Sequence, residues 1–131
     1  MQPDTTEGVV ADAWKFFDRL NAGDVRGALD AFASDATWWI QSTGEVLPIS
    51  EFAEALTDSM RECPRTYRLT AAHATGRTVI LEIACRGQVL ATQKPWVSDS
   101  CFIVVSGEDG RIRSVREYFD TQRIAWATTP D

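Results

Sequence analysis

The chain has three cysteines and one histidine, and that scarcity removes several chemistries at once. Cys63, Cys85 and Cys101 are widely spaced with no CxxC partner. Neither a dense disulfide framework nor a Cys/His zinc cluster is expected, and a reducing compartment suits this usage. No apolar run reaches membrane-spanning length. Met1-Gln2-Pro3-Asp4 is not a basic segment leading into an apolar stretch. A cytoplasmic protein without membrane contact is expected. Basic residues are also scarce: 13 Lys and Arg face 19 Asp and Glu, for a formal net charge of -6. That balance argues against a polyanion-binding surface, and hence against nucleic acid as partner. The phosphate loop, the dinucleotide fingerprint, the HExxH metal motif and the GxSxG elbow are all missing, so no cofactor and no metal are expected.

What remains is ordinary globular material. In 131 residues, 44% are hydrophobic and 24% charged. That is enough for one domain over 1–131 with a core that needs no staples. Val10, Ala13, Trp14, Phe17 and Leu20 recur at helical spacing, which predicts a helix over 5–21, with Asp4 and Glu7 as a capping box. After Asn21-Ala22-Gly23-Asp24, Val25, Ala28, Leu29 and Phe32 form a second short apolar face. Residues 37–41 read as a short strand. Ser50 is a candidate cap for a third helix ending near Cys63, burying Phe52, Ala55, Leu56 and Met60, and Pro64 stops it. Strands are predicted over 66–74, 78–87, 96–106 and 111–120, with reversals at Gly76 and 107–110. The end of the chain, 128–131, is expected to fray. Helices followed by long strands give an α+β class.

Three segments carry a family resemblance. Leu20-Asn21-Ala22-Gly23-Asp24 leads into Ala31-Phe32-Ala33-Ser34-Asp35-Ala36-Thr37-Trp38. Lys94-Pro95-Trp96-Val97-Ser98-Asp99 precedes an apolar strand. Asp109-Gly110-Arg111-Ile112 leads into Val115-Arg116-Glu117-Tyr118-Phe119-Asp120. The chain resembles the SnoaL-like, or nuclear-transport-factor-2-like, superfamily over nearly its whole length. The resemblance implies a cone-shaped α+β roll, with three N-terminal helices packed on a curved, mainly antiparallel sheet and a pocket between them. It also implies a homodimer formed through the exposed sheet face. Members include polyketide cyclases, ketosteroid isomerases, epoxide hydrolases, dehydratases and non-enzymatic domains, so the fold alone leaves function open. Positions matching the ketosteroid isomerase tyrosine, base and oxyanion donor are Phe16, Ile40 and Phe102, none of which can do that chemistry. Of the Asp-Arg-Asp set of limonene-epoxide hydrolase, Ile83 and Cys85 replace two members, and Glu117 matches the last. The last-strand acid of the SnoaL-like cyclases, which transfers protons during an aldol closure, also matches Glu117.

Glu117 is therefore the leading catalytic candidate. It alternates with Val115 and Phe119 on one strand face, while Arg116, Tyr118 and Asp120 occupy the other. Apolar neighbours would raise its pKa and suit it to general acid/base exchange; the competing reading is a surface or salt-bridged glutamate. Asp99 can assist it or polarise a water, although alternation sets Asp99 opposite Trp96, Ser98, Ser100 and Phe102. His73, sharing parity with Tyr67, Leu69 and Ala71, is a candidate proton shuttle or an exposed strand residue. Ser98, Ser100 and Tyr67 are candidate hydrogen-bond partners of a ligand carbonyl, or else local structural groups. Trp14, Phe17, Trp38, Trp39 and Trp96 can form an aromatic pocket for a hydrophobic polycycle or polyketide; Trp39 and Trp96 are the favoured lining residues, whereas Trp14 and Phe17 read as helix-on-sheet packing. Cys85 reads as a buried inert thiol, and Arg86 with Glu82 as an outer-face pair. Arg111, Arg113, Arg116 and Arg123 make the C-terminal region locally basic, a surface for an acidic protein.

The resulting expectation is a cofactor-independent cyclase or isomerase that acts on a hydrophobic carbonyl-containing metabolite. The alternatives are a non-catalytic small-molecule-binding or scaffold protein, and an epoxide hydrolase-like or dehydratase enzyme.

Overall fold

The computed structural model describes residues 5–131, with side chains from residue 7 onward; the Asp4 end of the expected capping box lies outside them. Helix α1 (Thr5–Asn21) turns Val9, Ala13, Phe16, Phe17 and Leu20 inward, the i, i+4, i+7, i+8, i+11 stripe of an amphipathic helix. It ends at Gly23, whose φ of 78° suits a residue without Cβ. Asp24 then caps α2 (Val25–Leu29) by accepting from the Gly27 amide. Phe32, expected in that helical face, instead begins β1 (Phe32–Ile40). β2 (Glu45–Pro48) follows, then α3 (Ile49–Glu62). The N-cap of α3 is Pro48 and makes no side-chain cap bond, so Ser50 sits inside the first turn and is not the cap.

The second half alternates long strands and tight reversals: β3 (Arg65–Thr75), β4 (Thr78–Gln88), β5 (Pro95–Ser106) and β6 (Ile112–Tyr118). A further helix, α4 (Thr121–Thr128), closes the chain; the Asp120 carboxylate caps it by accepting from the Gln122 and Arg123 amides. Its end does not simply fray, because the Lys94 ammonium donates to the Trp126 and Thr129 carbonyls. The strands form one six-stranded sheet in the order β2-β1-β6-β5-β4-β3. β1 and β6 run parallel and the other neighbours antiparallel.

The expected cone-shaped roll with three N-terminal helices is corrected here. Two helices precede the sheet; the third is inserted between β2 and β3. The sheet is mixed, and it ends on β2 at one side and β3 at the other, so it does not close on itself. The displaced helix follows from β1, which is nine residues long, not five, and has already paired with β2 before α3 begins.

Helices α1 and α3 cover one face of the sheet. Val79, Leu81, Ile83, Phe102, Val104, Ile112, Val115 and Trp38 meet them there. Each such large apolar side chain stabilises by about 1.5–3 kcal/mol when fully buried. Phe16 is the hub, 5.0 Å from the rings of Phe17 and Phe32 and 5.6 Å from Trp38. One irregularity matters below. β3 slips register against β4 between Leu69 and Ala71, so Tyr67 and Leu69 share a face with Ala72 and Ala74. Ala71 and His73 are turned to the other.

Candidate functional site

A cavity of about 200 Å³ opens between α1, α3, α4 and the covered face of the sheet. Successive cross-strand rungs supply its wall. Arg65, Gly87 and Trp96 form one rung, Tyr67, Cys85 and Ser98 the next, and Ser100 follows opposite Ile83. Phe102 faces Glu117, which is in turn opposite Ile40. Phe16, Phe17, Leu20, Phe52 and Leu56 cover these rungs from the helices, and Ile124 of α4 reaches the same space.

Glu117 is the only carboxylate among the lining residues. Strand alternation turns it inward with buried Val115 before it and Phe119 after it. Its Oε1 accepts a 3.1 Å hydrogen bond from the indole Nε1–H of Trp38. Trp38 is itself fixed by stacking on Phe52, with ring centroids 3.9 Å apart and planes 9° from parallel. Burial pushes the Glu117 carboxyl above the usual carboxylate range; the Trp38 hydrogen bond and the Arg65 charge pull it partly back. The net direction is upward, giving a carboxylate that binds its proton more tightly than a solvated one.

Two further polar groups line the space. Ser98 and Ser100 are both buried, and their hydroxyls share a 2.7 Å hydrogen bond. One of the two O–H protons is used between them, which leaves the other to donate to a ligand. Opposite strand β5, Arg65 donates from Nε to the Tyr67 hydroxyl at 2.9 Å and from Nη1 to the carbonyls of Ser59 and Cys63. Its guanidinium lies 4.9 Å from the Trp96 ring centroid. Gly87 makes this approach possible. A Cβ there would lie 2.2 Å from the Pro64 carbonyl oxygen and 2.9 Å from the Arg65 Cα. Burial lifts the Cys85 thiol to about 11, so it is a protonated, unreactive group in neutral solution.

The expected site residues thus divide. Glu117, Tyr67, Trp96, Ser98 and Ser100 come together around one cavity. Trp39, Asp99 and His73 do not. Trp39 lies on the opposite face of β1 with the Arg116 guanidinium 4.2 Å from its ring centroid and the Tyr118 ring at 5.1 Å. Asp99 points outward and pairs with Arg86 at 2.9 Å. His73 is exposed beside Glu82 at 3.3 Å, turned there by the β3 register slip. The expected Arg86–Glu82 pair is replaced by these two pairs. The locally basic C-terminal stretch is partly neutralised, since Arg113 lies 3.4 Å from both Asp35 and Asp109.

Ser59, Arg65 and Ile124 line the cavity without being singled out by the sequence. Trp38, one of the aromatic residues offered for the pocket, does line it, on the same face of β1 as Ile40. Arg65 left no comparable signal. The three positions matched to the isomerase machinery, Phe16, Ile40 and Phe102, all line the cavity and keep that part of it apolar. No described helix is long and apolar enough to cross a membrane. Among the described residues no group of three or more His, Cys, Asp or Glu is arranged to hold a metal ion.

Comparison with known proteins agrees with this architecture. The model of the SnoaL-like domain matches residues 13–115. A candidate polyketide cyclase from Xanthomonas campestris pv. campestris superposes with a TM-score of 0.86 at 17% identity, covering 96% of this chain and 100% of that one. PrhC from Penicillium brasilianum NBRC 6234 superposes with a TM-score of 0.85 at 16% identity, covering 95% and 87%. An NTF2-like protein from Burkholderia xenovorans LB400 gives a TM-score of 0.76 at 25% identity, covering 95% and 98%. No curated protein matches the chain at a significant level.

Proposed function

Taking as premise that this chain belongs to the SnoaL-like domain family, we propose that it is a cofactor-independent cyclase or isomerase working by general acid/base catalysis. Its substrate in this reading is a small hydrophobic carbonyl compound. The observation that carries the reading is Glu117: a carboxylate with raised proton affinity, pinned by Trp38, in an apolar cavity that also holds the Ser98–Ser100 hydroxyl pair. Oε1 is occupied by the indole, so Oε2 is the atom free to take a proton. In its ionised form Glu117 removes a proton from the carbon next to the substrate carbonyl. The C–H electron pair moves into an enolate, whose oxygen accepts the free serine hydroxyl hydrogen bond. An isomerase then returns the same proton from Glu117 to another carbon of the enolate system. A cyclase lets the enolate carbon attack a second carbonyl of the same molecule, and Glu117 protonates the resulting alkoxide. Both sequences leave Glu117 as they found it. The raised pKa strengthens the base for the first half, and the protonated Glu117 is still a far stronger acid than the carbonyl compound or alcohol it forms in the second.

Exchange of α-hydrogen for deuterium tests the shared first step without knowledge of the natural substrate. In heavy water, 2-tetralone bound to the wild-type protein should exchange faster than in buffer. Glu117→Gln should lose about 10²–10⁴-fold of that acceleration while still binding the ketone. Unchanged exchange in the folded variant rules out Glu117 as the proton carrier. Saturable ketone binding with no accelerated exchange in the wild type favours the alternative of a binding protein.

A further inference from the structure

Arg65 is a half-buried cation without an acidic partner among the described residues. No carboxylate lies within 4.0 Å of it among the described residues, whereas Arg19, Arg61, Arg86 and Arg113 each have one. Three of its five N–H groups are used: Nε on Tyr67, Nη1 on the Ser59 and Cys63 carbonyls at the end of α3. These bonds hold the guanidinium still and set it against the negative end of the helix. They leave both Nη2 hydrogens without a partner among the described residues. Nη2 lies on the Nε–H edge of the planar guanidinium, the edge that meets Tyr67. The Tyr67 hydroxyl accepts from Nε, and its own hydrogen has only the Met60 sulfur at 4.0 Å. Two adjacent donors, one of them charged, therefore border the cavity that both residues line. This is a match for two oxygens of one carboxylate.

We propose that the pocket selects hydrophobic acids, whose carboxylate docks on Arg65 Nη2 and the Tyr67 hydroxyl while the rest of the ligand extends over the apolar wall toward Glu117. The proposal rests on the reading of this cavity as the substrate site and adds the substrate's charge and size. A cavity of about 200 Å³ is modest; one of about 150 Å³ accommodates benzene, so one or two rings fit and a large polycycle does not. The charge argument is independent of the size. Arg65, Tyr67, Cys85 and Glu117 are the ionisable groups lining the cavity. Burial keeps the thiol and the phenol protonated, and Glu117 stands on β6 with no ion pair to Arg65 among the described residues, leaving Arg65 as the charge that a ligand can answer. A neutral ligand leaves that half-buried cation uncompensated; an anion neutralises it.

Calorimetric titration with 2-naphthoate and its near-isosteric neutral counterpart 2-naphthamide reads the preference directly. In the wild type the carboxylate should bind at least about 10-fold more tightly than the amide. Arg65→Gln should bring the two within about 2-fold, and Tyr67→Phe should reduce the preference by a smaller factor. Near-UV circular dichroism checks the fold of each variant. If Arg65→Gln does not fold for want of its bonds to α3, the wild-type comparison and Tyr67→Phe decide the matter. Equal or tighter binding of the amide by the wild type overturns the proposal, as does failure of both probes to bind. So does an undiminished preference in folded Arg65→Gln, which would leave Arg65 as a brace for α3 alone. Glu117→Gln separates the two readings. If it abolishes proton exchange while the wild type shows no carboxylate preference, only the acid-binding proposal falls. If the preference stands and exchange does not depend on Glu117, only the catalytic reading falls.

Discussion

Replacing Glu117 with glutamine exchanges a titrating side chain for a fixed neutral one, so the stability difference between the two proteins should vary with pH. The direction follows from the site. Burial, the largest influence, raises the carboxyl pKa above its usual value, against partial opposition from the Trp38 hydrogen bond and the Arg65 charge. A group that holds its proton more tightly when folded contributes stability below its unfolded pKa, about 4.3 for glutamate. That contribution is lost as the pH rises toward and through the folded pKa. Across that window a single extra bound proton corresponds to about 1.4 kcal/mol per pH unit. The glutamine variant has no such slope at this position. Its cost is different: the Trp38 indole can still donate to the amide oxygen, but the amide NH₂ faces an apolar wall, at about 1 kcal/mol.

The two effects predict a stability difference that moves toward the variant as the pH rises. Near pH 4 the variant should be less stable by about 1 kcal/mol. The wild type should then lose that advantage progressively as the pH rises above the unfolded pKa and through the folded one. At neutral pH the balance should stand further toward the variant than at pH 4, read as a change in the Tm difference at about 4 °C per kcal/mol for a chain of this size. Urea midpoints of both proteins from pH 4 to 8 make the measurement. Asp109 is held below the usual carboxylate range by the Arg111 amide, so its stabilising contribution is lost as the pH falls. That contribution is common to both proteins and cancels in the difference. A stability difference that stays constant from pH 4 to 8, or that increasingly favours the wild type as the pH rises, would refute the assignment of Glu117 as a desolvated carboxylate.

The other expectations concern the supports of the site. Trp38→Phe removes the indole donor while keeping a ring against Phe52, and should cost about 1–3 kcal/mol. Thermal melts should show the larger loss at pH 8, where the Glu117 carboxylate needs that hydrogen bond most. Gly87→Ala puts a Cβ onto the Pro64 carbonyl oxygen. It should destabilise by about 1–3 kcal/mol and weaken 2-naphthoate binding by displacing Arg65, read by denaturant titration and calorimetry. Lys94→Met releases the Trp126 and Thr129 carbonyls at the end of α4. Amide hydrogen exchange in α4 should quicken by about 10-fold or more with little change in β4 and β5, because a charged hydrogen bond is worth about 1.5–3 kcal/mol.

Much of this molecule was legible because its long strands obey simple alternation. The β5 pattern put Trp96, Ser98, Ser100 and Phe102 on one face, and the β6 pattern did the same for Val115, Glu117 and Phe119; all but Val115 line the cavity. Alternation failed where the backbone departs from period two. The slip between Leu69 and Ala71 leaves Tyr67 inside and His73 outside, although parity joins them. No residue type in Leu69-Thr70-Ala71 announces a bulge. β2 was missed because four residues ending in proline give no periodic signal, and α4 because its eight residues bury only Ala127 fully. Trp39 shows the limit of residue type as a guide. Two adjacent tryptophans have the same propensity, and only register assigns one to the cavity and the other to the outer face beside Arg116.

Arg65 is the instructive case, because chain geometry and not pattern brings it inside. Pro64 ends the α3 segment and Arg65 opens β3 directly after it. The strand begins opposite Gly87, the one position in that rung where the neighbouring backbone can approach so closely. The guanidinium is then held by the Ser59 and Cys63 carbonyls at the end of α3, by the Tyr67 hydroxyl and by the face of Trp96. Its hydrogen-bond partners Ser59, Cys63 and Tyr67 are near in sequence, but Gly87 and Trp96 come from β4 and β5, so no local window of sequence contains the whole site. A helix stop, a glycine two strands of chain away and an aromatic on β5 together deliver one charge to an apolar wall. The same logic explains why Glu117 and Arg65 do not neutralise each other. They enter from β6 and β3, with β5 and β4 between them in the sheet, and that separation leaves room for a ligand that can answer the cation at one end and exchange a proton at the other.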